Sequence, residues 1–305
     1  MSLLSRLAGR GPSGFGYGST AEQVTEGLSL AGQTFLVTGA GSGIGRETAR
    51  VLALRGARIV GTARTAEKAQ RVCAELGTAA VPVACELSEP HSVRAAVEEV
   101  KRRQLELSGI ICNAGIMALP ALTLAQGYEL QFFTNHIGHF LLVTGLLGSL
   151  APAARVVVVS SSMHRRAPAA GVDFDNLRGE GRYGSWDAYG RSKFANVLFA
   201  KQLARRFAGS ARTANALHPG VIRTELQRHM PVVAAAAMSA LAPIALKTVG
   251  QGAATQVYVA TRPELASTTG QYFADCNVAQ ARADTDDVKL AERLWEVSER
   301  IAREV

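Results

Sequence analysis

Tyr189 and Lys193 stand four positions apart in the run Tyr-Gly-Arg-Ser-Lys. On a helix this spacing puts both side chains on one face, one turn apart, so that the two heads can act on a single substrate atom. A phenol titrates near ~10, too high for good acid–base work at neutrality, and an ammonium fixed beside it favours the phenolate and lowers that value. The pair is therefore expected to make Tyr189 a usable proton donor or acceptor, with Lys193 lowering its pKa. Tyr-x-x-x-Lys is short enough to arise by chance on many helices, so its meaning depends on the elements that position it.

Those elements alternate. Thr34–Thr38 reads as a buried strand that breaks at Gly39 into a glycine-rich turn, followed by a helix to about Gly56. The pattern then predicts a strand at 58–62, a helix at 66–76, a strand at 81–85 and a helix at 90–103 that opens on a proline. A strand at 109–112, a long helix from about 125 to 150 and a β-branched strand at 155–160 follow. After a polar, glycine-bearing loop to about 185 come the helix of Tyr189 and strands near 213–217 and 271–274. Continuous apolar strands alternating with helices imply a parallel sheet covered on both faces, here an α/β fold of the doubly wound Rossmann type with about seven strands. Without an internal repeat or linker, residues 31–305 are expected to form one domain. Residues 1–30, rich in Gly and Ser, read as a weakly packed leader with a short helix.

The chain has 305 residues, 48% of them hydrophobic, and 33 Lys and Arg against 25 Asp and Glu give a net charge of +8. That balance suits an anionic cofactor as well as nucleic acid. The charge is scattered, with no run of like sign and no zinc-finger spacing, and nucleic acid is not expected as a partner. Cys73, Cys85, Cys112 and Cys276 form no Cys-x-x-Cys pair, which points to a reducing, cytoplasmic setting for a soluble protein. The N-terminus lacks the apolar core of a secretory signal, while its basic and serine-rich start is faintly like a transit peptide. The longest uncharged stretch, 230–246, is interrupted by Pro231 and Pro243 and is too short to span a bilayer. His136, His139 and His218 are not grouped with carboxylates, and no metal is expected.

Thr38-Gly39-Ala40-Gly41-Ser42-Gly43-Ile44-Gly45 lies between a strand and a helix. Glycines there let the backbone turn tightly and approach a pyrophosphate at the positive end of the helix dipole. A glycine turn that merely packs helix on strand accounts for the last glycine but not for three. The spacing Thr-Gly-x-x-x-Gly-Ile-Gly closely resembles that of the short-chain dehydrogenase/reductase family, and the resemblance extends over nearly the whole chain after residue 30. It includes Cys112-Asn113-Ala114-Gly115, Asn135 in Asn-His-Ile-Gly-His-Phe, Val-Ser-Ser-Ser at 159–162, Tyr189 with Lys193, and His218-Pro219-Gly220. Within the family, these motifs and the start Gly14-Phe15-Gly16-Tyr17-Gly18-Ser19-Thr20 look most like the retinol-dehydrogenase and WW-domain-oxidoreductase branch. The start in particular is similar to that of the chloroplast-envelope relatives called Tic32.

The resemblance implies a tetrad of Asn135, Ser161, Tyr189 and Lys193. Carbonyl reduction needs a hydride from the nicotinamide and a proton at the oxygen, so Ser161 would hold the substrate oxygen and Tyr189 protonate it. Ser161 is preferred over Ser160 and Ser162 because the family's reactive serine is usually the second of Val-Ser-Ser. Lys193 would also bond the nicotinamide ribose, and Asn135 would keep a water that links Lys193 to solvent. Cofactor contacts are implied at Thr38, Gly39, Ser42, Gly43, Ile44, Gly45, Arg46, Arg64, Glu86, Leu87, Asn113, Ala114, Gly115, Tyr189, Lys193, Pro219, Gly220, Val221 and Thr224. Cys112 for an asparagine and Glu86 for an aspartate depart from the family pattern. Ala63 stands where NAD-binding relatives carry an acid about 20 residues past the glycines, with Arg64 next to it, so NADP(H) is expected over NAD(H).

Residues 223–248 occupy the family's variable substrate lid, and the apolar run 230–246 reads as a pocket wall, a helix packed on the body or a membrane-surface contact. The expected function is interconversion of a lipophilic alcohol and its aldehyde or ketone. The alternative is an NADP-sensing interaction protein like the Tic32 relatives, which are associated with chloroplast protein import. A peripheral membrane contact and a homo-oligomer are left open.

Overall fold

The structure is a computed structural model that describes residues 9–77, 80–222 and 246–305. Its first residues form a strap. Arg10 pairs with Gly16 in an antiparallel bridge, and Thr20 caps the short helix α1 (Ala21–Val24) through a reciprocal capping box with Gln23. Ala21, Val24 and Leu30 are buried among residues of the main core. Of the expected weakly packed leader, residues 9–15 are exposed or half-buried, whereas Ala21, Val24 and Leu30 join the core. The leader's Gly and Ser content conceals three apolar side chains that share one buried face.

The chain then alternates as the apolar runs require: β1 (Thr34–Val37), α2 (Gly43–Leu54), β2 (Arg58–Ala63), α3 (Ala66–Leu76), β3 (Val81–Ala84), α4 (Pro90–Arg102) and β4 (Leu107–Cys112). Between β4 and the next strand the expected long helix from 125 to 150 is broken into pieces. Leu124–Ala125 and Tyr128–Glu129 form a hairpin whose turn residues Gln126 and Gly127 both have positive φ, the mirror-image turn that suits a two-residue connection. Glu129 accepts from the amides of Gln131 and Phe132 and so starts a helix that passes through a π-helical stretch, Phe133–Ile137, into α5 (Gly138–Gly145). The remaining elements are β5 (Leu150–Val159), α6 (Ser185–Arg206), β6 (Thr213–His218), α7 (Val249–Thr261), β7 (Tyr272–Ala274), β8 (Asn277–Val278) and α8 (Val288–Glu304).

The sheet has eight strands in the order β8-β7-β6-β5-β4-β1-β2-β3, one more than expected because β8 is only two residues long and carries no pattern. All its pairs are parallel except β7 with β8. Alternate side chains of one strand enter opposite cores. Phe35 and Val37 pack with α2, α7 and α1, whereas Leu36 packs with α4, α5 and α6; Val157 and Val159 divide from Val156 and Val158 in the same way. Burial on both faces explains why these strands read as unbroken apolar runs.

Candidate active site

Register brings the strand ends together. Val37 lies level with Gly61 and Ile111, Cys112 with Val158, and Val159 with Leu217. Thr38, Asn113, Ser160 and His218 therefore leave the sheet along one edge. Strand order reverses beside β1, with β2 and β3 on one side and β4 onward on the other, and the crevice at such a switch point is where doubly wound sheets bind ligands.

The glycine loop lines this crevice. Gly39 and Gly43 have φ of 68° and 53°, in the left-handed region. A Cβ at Gly45 would run into the Gly39 carbonyl and lie 2.5 Å from Asn113 Nδ2, so close approach excludes any side chain there. At Gly41 an added Cβ would meet nothing nearer than 3.8 Å. Ser42, the N-cap of α2, makes no side-chain capping bond. Tight turns, an open backbone face and a helix start that its own cap leaves unsatisfied are the features a pyrophosphate requires, and the residues present fit a dinucleotide.

Thr38 and Asn135 organise the floor. The Thr38 hydroxyl accepts from the amides of Asn113 and Ala114, each at 2.9 Å, which uses both its lone pairs. Its proton must then go outward, and His139 Nε2 at 2.9 Å is better placed than the Ile111 carbonyl at 3.4 Å. His139 Nδ1 consequently carries its hydrogen and donates to the Asn135 carbonyl at 2.9 Å. Burial lowers the His139 pKa to about 4, so the ring stays neutral in this single tautomer. Asn135, fully buried in the π-helical stretch, accepts from Ile116 N at 2.8 Å and donates to the Ile116 carbonyl and to Ser192 Oγ, both at 2.9 Å. It ties the loop after β4 to α6. His139 is a residue that sequence reasoning missed, although its place four residues after Asn135 puts it on the same helical face.

Tyr189 and Lys193 lie on α6, as their spacing predicts. Ser161, just beyond β5, caps the 3₁₀ turn Ser162–Arg166 by accepting from Met163 N at 3.2 Å, and its side chain is close enough to Tyr189 to pull the phenol pKa downward. The neighbouring serines make other contacts, Ser160 by its hydroxyl and Ser162 by its backbone amide. Ser160 Oγ donates to the Lys193 carbonyl at 2.7 Å, and Ser162 N donates to His218 Nδ1 at 3.2 Å. Gly190 permits the turn to approach α6, because a Cβ there would sit 3.0 Å from the Met163 carbonyl and 3.1 Å from Ala167 N. This is a second residue missed, and its position directly after Tyr189 was the available signal.

The electrostatics differ from expectation. Burial pushes the Tyr189 phenol up to about 12, against a smaller downward pull from Ser161. The nearby Lys193 does not reverse that direction. Its Nζ donates to the Val159 carbonyl at 3.0 Å and lies 5.8 Å from the centroid of the Tyr189 ring, and burial lowers its own pKa to about 8. The correction has a plain cause: both heads are buried, and desolvation acts against either charge.

Around the crevice, Asn113 Nδ2 donates to the Thr38 carbonyl at 2.9 Å. A Cβ on Gly115 would meet Asn135 Oδ1 at 3.0 Å and Lys193 Nζ at 3.4 Å, so the Asn113–Gly115 turn lies close to both side chains. Glu86 Oε1 accepts from Ser88 N at 3.2 Å and Ser88 Oγ at 2.9 Å, and Leu87 packs on Gly138. Arg64 is exposed beside buried Ala63, whereas Arg46 is paired with Glu75 at 2.6 Å. Pro219 and Gly220 follow β6, and Val221 is exposed. Thr224, and all of the 230–246 run except Leu246, lie outside the described residues. Beside Tyr189, a cavity of about 460 Å³ is lined by Ser162, Met163, Arg165, Arg166 and Trp186, whose ring meets that of Tyr189 edge-on at 6.3 Å. Among the described residues no helix is long and apolar enough to cross a membrane, and all four cysteines are unpaired and buried.

The family profile described as short chain dehydrogenase matches residues 33–174. The chain is 38% identical to the short-chain dehydrogenase TIC 32 A, chloroplastic, of Brassica napus, over 98% of both chains. It is 38% identical to human retinol dehydrogenase 14, over 88% of this chain and 86% of the relative. A solved short chain dehydrogenase from Burkholderia cenocepacia, in complex with NADP, superimposes with a TM-score of 0.65 at 27% identity, covering 80% of this chain and 96% of that one. With the glycine crevice and the Ser161–Tyr189–Lys193 cluster on one sheet edge, the chain belongs to the short-chain dehydrogenase/reductase family, NAD(P)-dependent oxidoreductases acting on CH–OH donors, in its retinol dehydrogenase and Tic32 branch.

Proposed function

We propose that this protein interconverts a lipophilic alcohol and its aldehyde or ketone, with Asn135, Ser161, Tyr189 and Lys193 as its tetrad and NADP(H) preferred over NAD(H). The observation that carries the reading is the grouping of Ser161 with Tyr189, whose phenol pKa it pulls downward, one helical turn from the Lys193 ammonium and beside the cavity lined by Met163 and Trp186. When bound, the nicotinamide supplies or accepts the hydride. Ser161 holds the substrate oxygen, and Tyr189 gives it a proton in reduction or takes one in oxidation. Asn135 keeps the water by which Lys193 communicates with solvent. Thr38, Gly39, Ser42 to Arg46, Arg64, Glu86, Leu87, Asn113 to Gly115 and Pro219 to Val221 hold the cofactor, with Thr224 assigned by resemblance alone.

NADP preference rests on the end of β2. Ala63 leaves no carboxylate to repel a 2′-phosphate, and exposed Arg64 offers forked donors that match its oxygens. Arg46 contributes less than the motif suggests, since Glu75 already holds it. Charge-assisted bonds contribute roughly 1.5 to 3 kcal/mol each, so Arg64 accounts for a preference of tenfold to about a hundredfold. A screen of aldehydes, ketones and alcohols with both cofactors, read at the nicotinamide absorbance band, tests the whole reading. In the same assay Ala63→Asp combined with Arg64→Ala should reverse the preference, and equal use of both cofactors by the wild type refutes it.

A second reading has its own observation. The match to the chloroplastic relative includes the N-terminal strap, with 98% of both chains covered. An NADP-responsive interaction protein with little turnover would bind the cofactor, reduce nothing in the screen and retain a stable partner.

A further inference from the structure

Away from the tetrad, a second tyrosine and a second lysine meet. Lys247 is buried, with 2% of its surface exposed; its Nζ lies 2.5 Å from Asp275 Oδ1 and 4.7 Å from the centroid of the Tyr17 ring. The three residues come from the strap, the segment before α7 and the turn between β7 and β8. Asp275 and Cys276 form that turn with φ of 51° and 62°, a conformation that disfavours side chains and persists where the surroundings impose it. Here Asp275 is held on Lys247, and Cys276 N donates to Thr255 Oγ1 at 3.2 Å.

Lys247 is joined to the loop after β6. Its amide donates to the Val221 carbonyl at 2.9 Å, and it pairs with Ile222 in a parallel bridge. Its stem runs directly under Gly220, where an added Cβ would lie 2.6 Å from Lys247 Cδ and where φ is 99°. Glycine is needed at 220 for both reasons. One residue before Pro219, His218 accepts from Ser162 N, next in sequence to Ser161. The lysine thus stands between the strap and the loop that the cofactor reading lays over the nicotinamide.

The strap is fixed independently. Ser13 N donates to Asn277 Oδ1 at 3.0 Å, Asn277 Nδ2 donates to the Phe15 carbonyl at 3.1 Å, and Gln251 Nε2 donates to the Gly18 carbonyl at 3.1 Å. Phe15 meets the Tyr258 ring edge-on at 5.8 Å. A buried ammonium is a costly way to pin a loop, since a well-packed apolar residue of similar volume often does as well. What the ammonium adds is a defined position, because the carboxylate and the ring face must be satisfied together.

We propose that Lys247, clamped by Asp275 and the Tyr17 ring, is the positioning residue that sets the Pro219–Gly220–Val221 loop against the nicotinamide half of the cofactor, and that the N-terminal strap is thereby part of the cofactor site. This rests on the cofactor reading above. The test compares two ligands on the full chain: NADPH, followed by its own fluorescence, and adenosine 2′,5′-bisphosphate, which carries the adenine end alone, followed by calorimetry. Lys247→Met should weaken NADPH about tenfold. The bisphosphate, bound far from the lysine, should change less than about twofold. Tyr17→Leu, which keeps the ion pair and removes the ring, should show the same split at about threefold, the scale of an exposed cation–π contact. Lys247→Arg should recover part of the NADPH affinity. Equal losses for both ligands, or unchanged NADPH affinity in Lys247→Met and Tyr17→Leu, would overturn the proposal. Should Lys247→Met fail to fold, Tyr17→Leu decides by the same two outcomes. A wild type that binds neither ligand overturns the cofactor reading, and this proposal with it.

Discussion

The molecule contains two tyrosine–lysine pairs built on opposite plans. Tyr189 and Lys193 are one turn apart on α6, and among the described residues the ammonium of Lys193 has only the Val159 carbonyl as a hydrogen-bond partner. Tyr17 and Lys247 are 230 positions apart in number and meet through folding, with the Asp275 carboxylate completing the group. Lys193, proposed to meet the cofactor, is buried without a carboxylate partner among the described residues, so its charge costs stability. A lysine that serves as a fixed point is given one, and its charge becomes a contact.

The largest test of this contrast is chemical. Tyr189→Phe keeps the ring and removes the proton, so turnover should fall by the ~10² to 10⁴ typical of a lost general acid while NADPH still binds. Near-native turnover in that variant would place both pairs in the structural class.

A second test reads pH. The Tyr189 phenol, held near pKa 12 by burial, is fully protonated at neutrality. For aldehyde reduction kcat/KM should therefore stay flat from pH 6 to 9 as far as this group is concerned, whereas for alcohol oxidation it should keep rising through pH 9. An oxidation profile that levels off below pH 8 would show that Lys193 governs the tyrosine after all.

The third test is one of opposite signs. Lys193→Met removes a buried charge and should stabilise the protein by up to about 3 kcal/mol at pH 7, despite abolishing activity. Lys193 has its pKa lowered from 10.5 to about 8, so between those values the unfolded chain binds more protons and wild-type stability climbs with pH. The advantage of Lys193→Met should be complete below pH 8 and gone above about 10.5. Lys247→Met leaves Asp275 without its partner and should instead cost roughly 1 to 3 kcal/mol. Denaturant melts at pH 7 and 10 check both. The smallest effect belongs to Asp275→Asn: that side chain is 40% exposed, so solvent replaces part of what it loses and a cost of about 1 kcal/mol or less is expected.

Much of the site was legible because it is local. Tyr189 and Lys193 share a helix face, the glycines from Gly39 to Gly45 lie within one turn, and β5 brings Ser160, Ser161 and Ser162 in succession. Sequence spacing cannot separate those serines; in the structure the Ser160 hydroxyl is taken up by the Lys193 carbonyl, while the Ser161 side chain lies near enough to Tyr189 to affect its pKa. The broken helix before β5 reads as one element because apolar residues recur along all of 125–150, whereas its interruption depends on Gln126 and Gly127 adopting positive φ and on the Glu129 cap. The expected effect of Lys193 on Tyr189 failed for a different reason: proximity was foreseeable, but the depth of burial was not.

The amino-acid order by itself determined the strand runs, the alternation with helices, the glycine turn at β1 and the one-turn spacing of Tyr189 and Lys193. These follow from steric and hydrophobic preferences that act within a few residues. Only the tertiary structure decided that Ala21, Val24 and Leu30 of the strap belong to the core, that His139 is held neutral between Thr38 and Asn135, and that Tyr17, Lys247 and Asp275 converge beneath Gly220. Each of those depends on which distant segments come into contact and on how much water remains between them, quantities set when the sheet order and its covering helices are in place.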